Sequence, residues 1–337
     1  MVGKRFSVLM ALLLSASILG GCAKTQVVAS NSPDKKGKAV KIGISQIAEH
    51  PALDAAREGF IEALKSKGFE DGKNIKIDYQ NAQGEIATAQ TIAQNFASQK
   101  EDLILAIATP SAQAAFNATK DIPILITAVT DPVKAGLTKS LDKPDANVTG
   151  TSDDVSAQKQ LELLKKLVPN SKTIGILYNS SESNSEIQLE NIKKALPEFG
   201  LELEAVGVTN VNEIPQALNS ILDKVDTIYV PTDNLVASAM PLITSTCYKK
   251  NIPVIGSEEG QVANGALATN GIDYKQLGFQ TGLMAAEVLN GKAVSELPIT
   301  TLSELSIVVN TDAANKLNIQ IPEDILSKAK KVTGGVQ

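Results

Sequence analysis

The chain has 337 residues, enough for about two domains at ~150 residues each. Its 43% hydrophobic and 20% charged content is that of a folded globular protein. A net charge of −5, no tryptophan and few aromatics argue against a nucleic-acid partner, which calls for a basic face.

The first 22 residues form a separate object. Lys4 and Arg5 make a positive start, Val8 to Leu19 a short apolar run, and small residues follow. This is the pattern of a secretory signal, too short to span a bilayer comfortably. Leu19-Gly20-Gly21-Cys22 matches the bacterial lipobox, which predicts a lipoprotein signal over 1–21, cleavage before Cys22 and lipid on its thiol. Cleavage would remove two positive charges and move the net charge from −5 to −7. Cys247 is then the one thiol left, so no intramolecular disulfide can form. Residues 22–38 are mostly small and polar and read as a flexible tether, reaching on the order of 20 Å. Two acyl chains on one diacylglyceryl group would hold the protein stably to the extracytoplasmic face of the cell membrane.

From Val40 the pattern alternates strand and helix. Ile42 and Ile44 lie in a buried strand, Gln46 to His50 form a polar turn, and Pro51 opens a helix carrying Leu53, Ala56, Phe60 and Leu64 at helical spacing. Asn74 to Tyr79 predicts a strand, Ile86 to Ala97 a helix, and Leu103 to Ile107 a strand covered on both faces. Thr109-Pro110-Ser111 caps a further helix, and Ile122 to Thr127 is the next strand. Asn147 to Gly150 is a short strand before a helix over Val155 to Leu167. Such alternation over short turns means parallel βαβ units.

The order then repeats. TIGILYNSSESNSEIQLENIKKALPEFG at 173–200 follows KIGISQIAEHPALDAAREGFIEALKSKG at 41–68, with Gly43 answering Gly175 and Gly68 answering Gly200 at the same separation of 132 residues. DLILAIATPS with a following IPIL likewise resembles DTIYVPTDN with its IPVI. The second half predicts strands at 201–208, 226–230 and 253–256, with helices at 211–222 and 234–249, the latter kinked at Pro241. The tail predicts strands at 266–271, 297–302 and 306–309, a helix from Tyr274 to Leu289, and a last helix from Pro322 to Lys331. These extra pieces suit a chain that recrosses between two lobes, near 148–151, 270–272 and 300–303. The expected division is 39–148 with 271–300 in the first lobe and 149–270 with 301–333 in the second.

No catalytic constellation is present: there is no nucleophile elbow, no P-loop, no zinc-protease motif and no Cys/His cluster. Neither a metal nor a cofactor is expected, and the chain reads as a non-enzyme. What remains is a set of polar groups at the carboxyl ends of strands, where open α/β sheets bind ligands. These are Gln46, Glu49, His50, Thr109, Ser111, Thr130, Asn179, Asn184, Asn234 and Glu258, with Asp153 at the crossing. The Thr109 helix start favours a carboxylate through its free N–H groups and dipole. Asp233 reads as a helix cap, or as an acceptor for a substrate ammonium if it faces the cleft. Tyr178 could pack on an aromatic substrate or in the core.

The lipobox, the tether and two similar lobes resemble the bacterial ABC-transporter substrate-binding lipoproteins of the type I periplasmic-binding fold. EHPALDAAREGF, ATPSAQAA, ITAVTDPVKAGL, NVTGTSD, YNSSESNS and PTDN are similar to the TrpX-type family, whose characterised members bind aromatic amino acids. The likeness covers essentially the whole mature chain. It implies that Thr109, Ser111, Asp153, Tyr178, Asn184 and Asp233 belong to the site. It also implies two Rossmann-like lobes joined by a three-segment hinge, an aromatic amino acid held between them, and delivery to an ABC permease with a separate ATPase by a monomeric receptor. The competing expectations are a branched amino acid or sugar-like ligand, and a surface sensor or adhesin with no transport role.

Overall fold

The computed structural model describes residues 39–336; the lipobox with Cys22 and the tether at 22–38 lie outside the described residues. The chain begins β1 (Val40–Gln46), α1 (Pro51–Ser66), β2 (Ile75–Asn81), α2 (Ile86–Gln99), β3 (Leu103–Ile107), α3 (Thr109–Ala118), β4 (Ile124–Val129) and β5 (Val148–Ser152). It continues with α4 (Ala157–Leu167), β6 (Thr173–Asn179), α5 (Ser183–Phe199), β7 (Glu202–Val208), α6 (Ile214–Ile221), β8 (Thr227–Tyr229), α7 (Asn234–Ser238), α8 (Met240–Tyr248), β9 (Val254–Ile255), α9 (Glu259–Ala263) and β10 (Ala268–Gly271). The last elements are α10 (Tyr274–Leu289), β11 (Thr300–Thr301), β12 (Ser306–Asn310), α11 (Thr311–Lys316), α12 (Glu323–Leu326) and β13 (Lys330–Val332).

The strands form two sheets, ordered β2-β1-β3-β4-β5-β11 and β7-β6-β8-β9-β10-β12-β13. Each sheet runs outward from the strand that opens its half of the repeat, as doubly wound folds do. Pairing is parallel except between β10 and β12. The repeated glycines have a packing reason. A Cβ at Gly43 would come within 2.7 Å of the Phe96 ring, and one at Gly175 within 2.6 Å of Ile228 Cδ1. In both lobes the strand that opens the repeat, second from one edge of its sheet, has no room for a side chain on that face. Separate apolar cores then close around each sheet, one containing Ile42, Phe60 and Phe96, the others Leu161, Ile174, Ile228 and Ile243.

The passages between sheets fall later than the sequence suggests. Residues 148–151 belong to β5, which pairs with β4 and β11, so the chain leaves the first sheet after Ser152. It returns between Gly271 and Tyr274, and crosses again between Thr301 and Ser306. On its return α10 docks on α1 at very close range. A Cβ at Gly278 would lie 1.8 Å from the Ala56 carbonyl oxygen, and one at Gly59 would lie 2.0 Å from that of Lys275. This backbone-to-backbone contact fixes where Tyr274, the first residue of α10, enters the site. The end of the chain also departs from expectation. The helix expected over 322–331 is only the four residues of α12, and Lys330–Val332 instead adds a strand parallel to β12. Ile325 of α12 is buried in the second-lobe core.

Candidate functional site

The carboxyl ends of the parallel strands in the two sheets face one another, and a closed cavity lies between them. It is lined from the first lobe by His50, Leu53, Ala128 and Tyr274, and from the second by Asn184, Thr232, Asp233, Asn234, Ala237, Glu258 and Gln261, with Asp153 at the first passage. Its free interior is small: about 10 Å³ can take the centre of a water molecule. That is room for about one water, so the lobes have to part before anything larger enters. They are latched by direct contacts. The Gln188 amide of α5 donates to Thr130 Oγ1 (3.3 Å) at the end of β4. That of Gln113 on α3 donates to Ser183 Oγ (3.4 Å) on α5.

On the first-lobe side the chain is strained where β3 and β4 end. Ala108 and Ala128 both have positive φ, 75° and 57°, a costly conformation for a residue with a Cβ and one that gathers at functional sites. Ala108, rather than Thr109, occupies the cap position of α3, and its N–H donates to Thr127 O (3.0 Å) beside the cavity-lining Ala128. Thr109 and Ser111 are therefore inside the first turn, where their N–H groups have no carbonyl one turn back and Pro110 has no N–H at all. Their hydroxyls are buried and unpartnered. The result is four donors at the positive end of a ten-residue helix, a setting suited to a carboxylate.

Across the cavity the chemistry is acidic. Asp153, Glu182, Asp233 and Glu258 are all buried, and among the described residues no lysine or arginine is. Each is committed differently. Asp233 caps α7: Oδ1 accepts from Val236 N (2.9 Å), and Oδ2 from Asn179 N (2.5 Å) and Ser185 Oγ (2.7 Å). Glu258 caps α9 by accepting from the N–H groups of Gly260 and Gln261. Glu182 stands behind Asn234, whose amide donates to it (2.5 Å), and also accepts from Asn179 Nδ2 (3.0 Å). Asp153 alone has an oxygen to spare. Its Oδ2 accepts from Tyr274 Oη (2.5 Å), and its Oδ1 is buried without a partner. Burial drives all four carboxyls up, Asp153 to about 6, and Glu182 and Glu258 to about 7. The hydrogen bond from Tyr274 works against that rise at Asp153. Burial also lowers His50 to about 4, which leaves a neutral ring at neutral pH. Neither of its nitrogens has a well-directed hydrogen bond. A site with this balance lacks a cation.

Of the residues expected from sequence, His50, Asp153, Asn184, Asp233, Asn234 and Glu258 meet at the cavity. Thr109 and Ser111 are not among its lining residues; they follow Ala108, which is bonded to Thr127 next to the cavity-lining Ala128. Asn184 donates to Thr232 O (3.2 Å) and leaves its Oδ1 free. The others do other work. Gln46 is consumed within its own turn, donating to Ala48 O and Asp54 Oδ1 and accepting from Arg57. Glu49 is exposed, and with Asn179 it lines an open groove of about 590 Å³ at the edge of the lobes. Thr130 belongs to the latch. Tyr178 packs its ring over Gly207 on β7, away from the cavity. The aromatic wall is instead Tyr274, which sequence reasoning passed over. The available signal was its place: the first residue of a helix at the passage Gly271-Ile272-Asp273, one of three points where the chain enters the space between lobes.

The model of the ABC transporter substrate binding protein family matches residues 41–333. A curated relative from Clostridioides difficile (strain R20291), called a tyrosine-binding protein, is 50% identical over 94% of this chain and 93% of its own. A Streptococcus structure in complex with L-Trp is 40% identical, with a TM-score of 0.84 over 88% of this chain and all of its own. The ligand-free, open structure of a Clostridium difficile substrate-binding protein with adhesive properties is 52% identical over 88% of this chain and 99% of its own, yet its TM-score is 0.67. The more similar sequence thus superposes less well. Solved structures of sugar- and leucine-binding proteins below 20% identity share the fold alone.

Proposed function

This chain belongs to the ABC transporter substrate-binding protein family, and from that premise we propose that it captures an aromatic amino acid, tyrosine or tryptophan, between its two lobes. The observation that carries this reading is the opposed chemistry of the closed cavity. Unpartnered hydroxyls and free N–H groups stand at the start of α3, and among the described residues the buried acids, Asp153, Asp233 and Glu258 of the cavity lining included, have no buried cation. A zwitterion supplies both missing partners. Its carboxylate would sit at Thr109 and Ser111, and its ammonium at Asp153 Oδ1. Its ring would lie against Leu53, Ala128, Ala237 and Tyr274, with Asn184 and His50 available to a polar ring atom. The tyrosine-binding relative and the L-Trp complex support the aromatic class.

The described conformation is read as the closed form. A small interior, the latches across the cleft and the better superposition on the L-Trp complex all support that. Ligand contacts both lobes, which gives the differential affinity that closure requires. The role is delivery rather than turnover: the closed form would present the amino acid to a permease driven by a separate ATPase. Lipid on Cys22 would keep a monomeric receptor at the extracytoplasmic face of the membrane.

Thermal shift and calorimetry with each of the twenty amino acids, on protein freed of ligand by unfolding and refolding, test the reading. A ligand at a hundredfold excess over its Kd stabilises by about 2.7 kcal/mol. Tyrosine or tryptophan should give the largest shift. If no amino acid moves the transition, the reading fails.

A further inference from the structure

We propose that Tyr274 is the positioning residue of the ammonium site: its hydroxyl holds the Asp153 carboxylate so that Oδ1 faces the ligand. The inference rests on the amino-acid reading above and adds a residue and a mechanism to it. Three observations carry it. Tyr274 Oη donates to Asp153 Oδ2 (2.5 Å), across 121 residues of sequence. The second oxygen, Asp153 Oδ1, is buried and unpartnered, and both residues line the same cavity. The two also stand at separate passages between the lobes, Asp153 directly after β5 and Tyr274 at the start of α10. Because α10 is locked to α1 by backbone contact at Gly278, the tyrosine is a fixed post rather than a mobile side chain.

The surroundings of Asp153 explain why a post is needed. Asp154 follows it, Glu258 and Tyr229 face Tyr274 from the second lobe, and no lysine or arginine is buried nearby to balance them. Burial and the neighbouring Asp154 favour a neutral Asp153 carboxyl. The hydroxyl of Tyr274 is the largest influence that favours its charged form. A carboxyl that takes up a proton accepts weakly from an ammonium and can turn away. Tyr274 thus keeps an acceptor charged and aimed before the ligand arrives, and the ammonium then supplies the missing cation. The same bond ties two hinge strands together, so ligand at Oδ1 is sensed where the lobes pivot.

The test compares wild type with Tyr274→Phe, using L-tyrosine, L-tryptophan and their des-amino analogues, which keep ring and carboxylate but lack the ammonium. Loss of a hydrogen bond to a charged group should weaken amino-acid binding by about 10- to 100-fold at pH 7. The loss should shrink as pH rises, because Asp153 then ionises without help, and the des-amino analogues should bind the two proteins alike. In an Asp153→Asn background the Tyr274→Phe change should add little further loss. Equal amino-acid affinity and an unchanged pH profile in Tyr274→Phe would overturn the inference while leaving the ligand class intact. A second measurement needs no ligand: carboxyl-carbon NMR of Asp153 in the refolded, empty protein. Its titration should move to higher pH in Tyr274→Phe, and an unmoved titration overturns the inference whatever the protein binds. Failure of the wild type to bind any amino acid, together with a moved titration, would instead reject the ligand reading and retain the Tyr274–Asp153 device.

Discussion

Asp153 and Asp233 lie in one cavity, and the structure gives them opposite duties that a pair of substitutions can separate. Asp233→Ala removes the acceptor of Asn179 N, Ser185 Oγ and Val236 N at once. A buried donor left without an acceptor costs about 1–3 kcal/mol. Two of the three are backbone N–H groups that cannot turn elsewhere, so their loss alone costs about 2–6 kcal/mol. Removing a buried charge beside Glu182 returns part of that, because both carboxyls are driven up by burial and Asp233 also raises Glu182. The expected net loss is about 2–4 kcal/mol of stability, within the range of broken buried networks. Asp153→Asn removes a buried charge with one idle oxygen and should change stability by less than about 1 kcal/mol, in either direction. Urea unfolding of the ligand-free proteins at pH 7.5, followed by fluorescence and circular dichroism, measures both. Ligand binding should show the reverse order, with Asp153→Asn the more damaging at equal folded fraction. If Asp233→Ala unfolds within about 0.5 kcal/mol of wild type while losing its ligand, Asp233 is the ammonium site and the assignment here is wrong.

Four further outcomes are expected. Asp153 at about 6, and Glu182 and Glu258 at about 7, all lie above their ordinary 3.8 and 4.5. Raised acids stabilise the fold when protonated, so the ligand-free protein should lose stability as pH climbs from about 5 to 8. His50, lowered from 6.5 to about 4, opposes this below pH 6.5 but is one group against three; a flat or rising Tm between pH 6.5 and 8 would contradict the burial of these acids. Gly278→Ala should destabilise the first lobe by about 1–3 kcal/mol in the same urea assay, because its Cβ would strike the Ala56 carbonyl. Cys247 is buried and pushed up to about 12, so a thiol reagent should leave it unmodified in native protein and label it after unfolding. Cys22→Ala should abolish lipid labelling and shift the protein from the membrane fraction into the medium; continued acylation would place the anchor elsewhere.

Much of this architecture is legible in the order of residues. The alternation of apolar runs and amphipathic helices gives parallel βαβ units, and the 132-residue repeat gives two of them. The physical reason is local: Gly43 faces Phe96 of α2 and Gly175 faces Ile228 of the neighbouring strand β8, so a demand for no side chain is written at the same point of each copy. The acids and hydroxyls at strand ends are equally visible, because a parallel sheet delivers every strand end to one edge. What the sequence left open was settled by contacts between distant segments. Tyr178 and Tyr274 are indistinguishable as aromatics near a strand end. The pleat turns Tyr178 over Gly207, whereas helix α10 is carried back to α1 and brings Tyr274 to Asp153. Thr109 reads as a cap because Thr before Pro usually is one. The strained φ of Ala108 moves the cap back one residue and leaves two hydroxyls unpartnered. Asp153 and Asp233 read alike too, as short acids after strands. Three donors from β6, α5 and α7 converge on one of them, and a single tyrosine reaches the other. Sequence periodicity fixed which groups reach the cleft, while only tertiary packing, by saturating some and leaving others bare, decided which are free to meet a ligand.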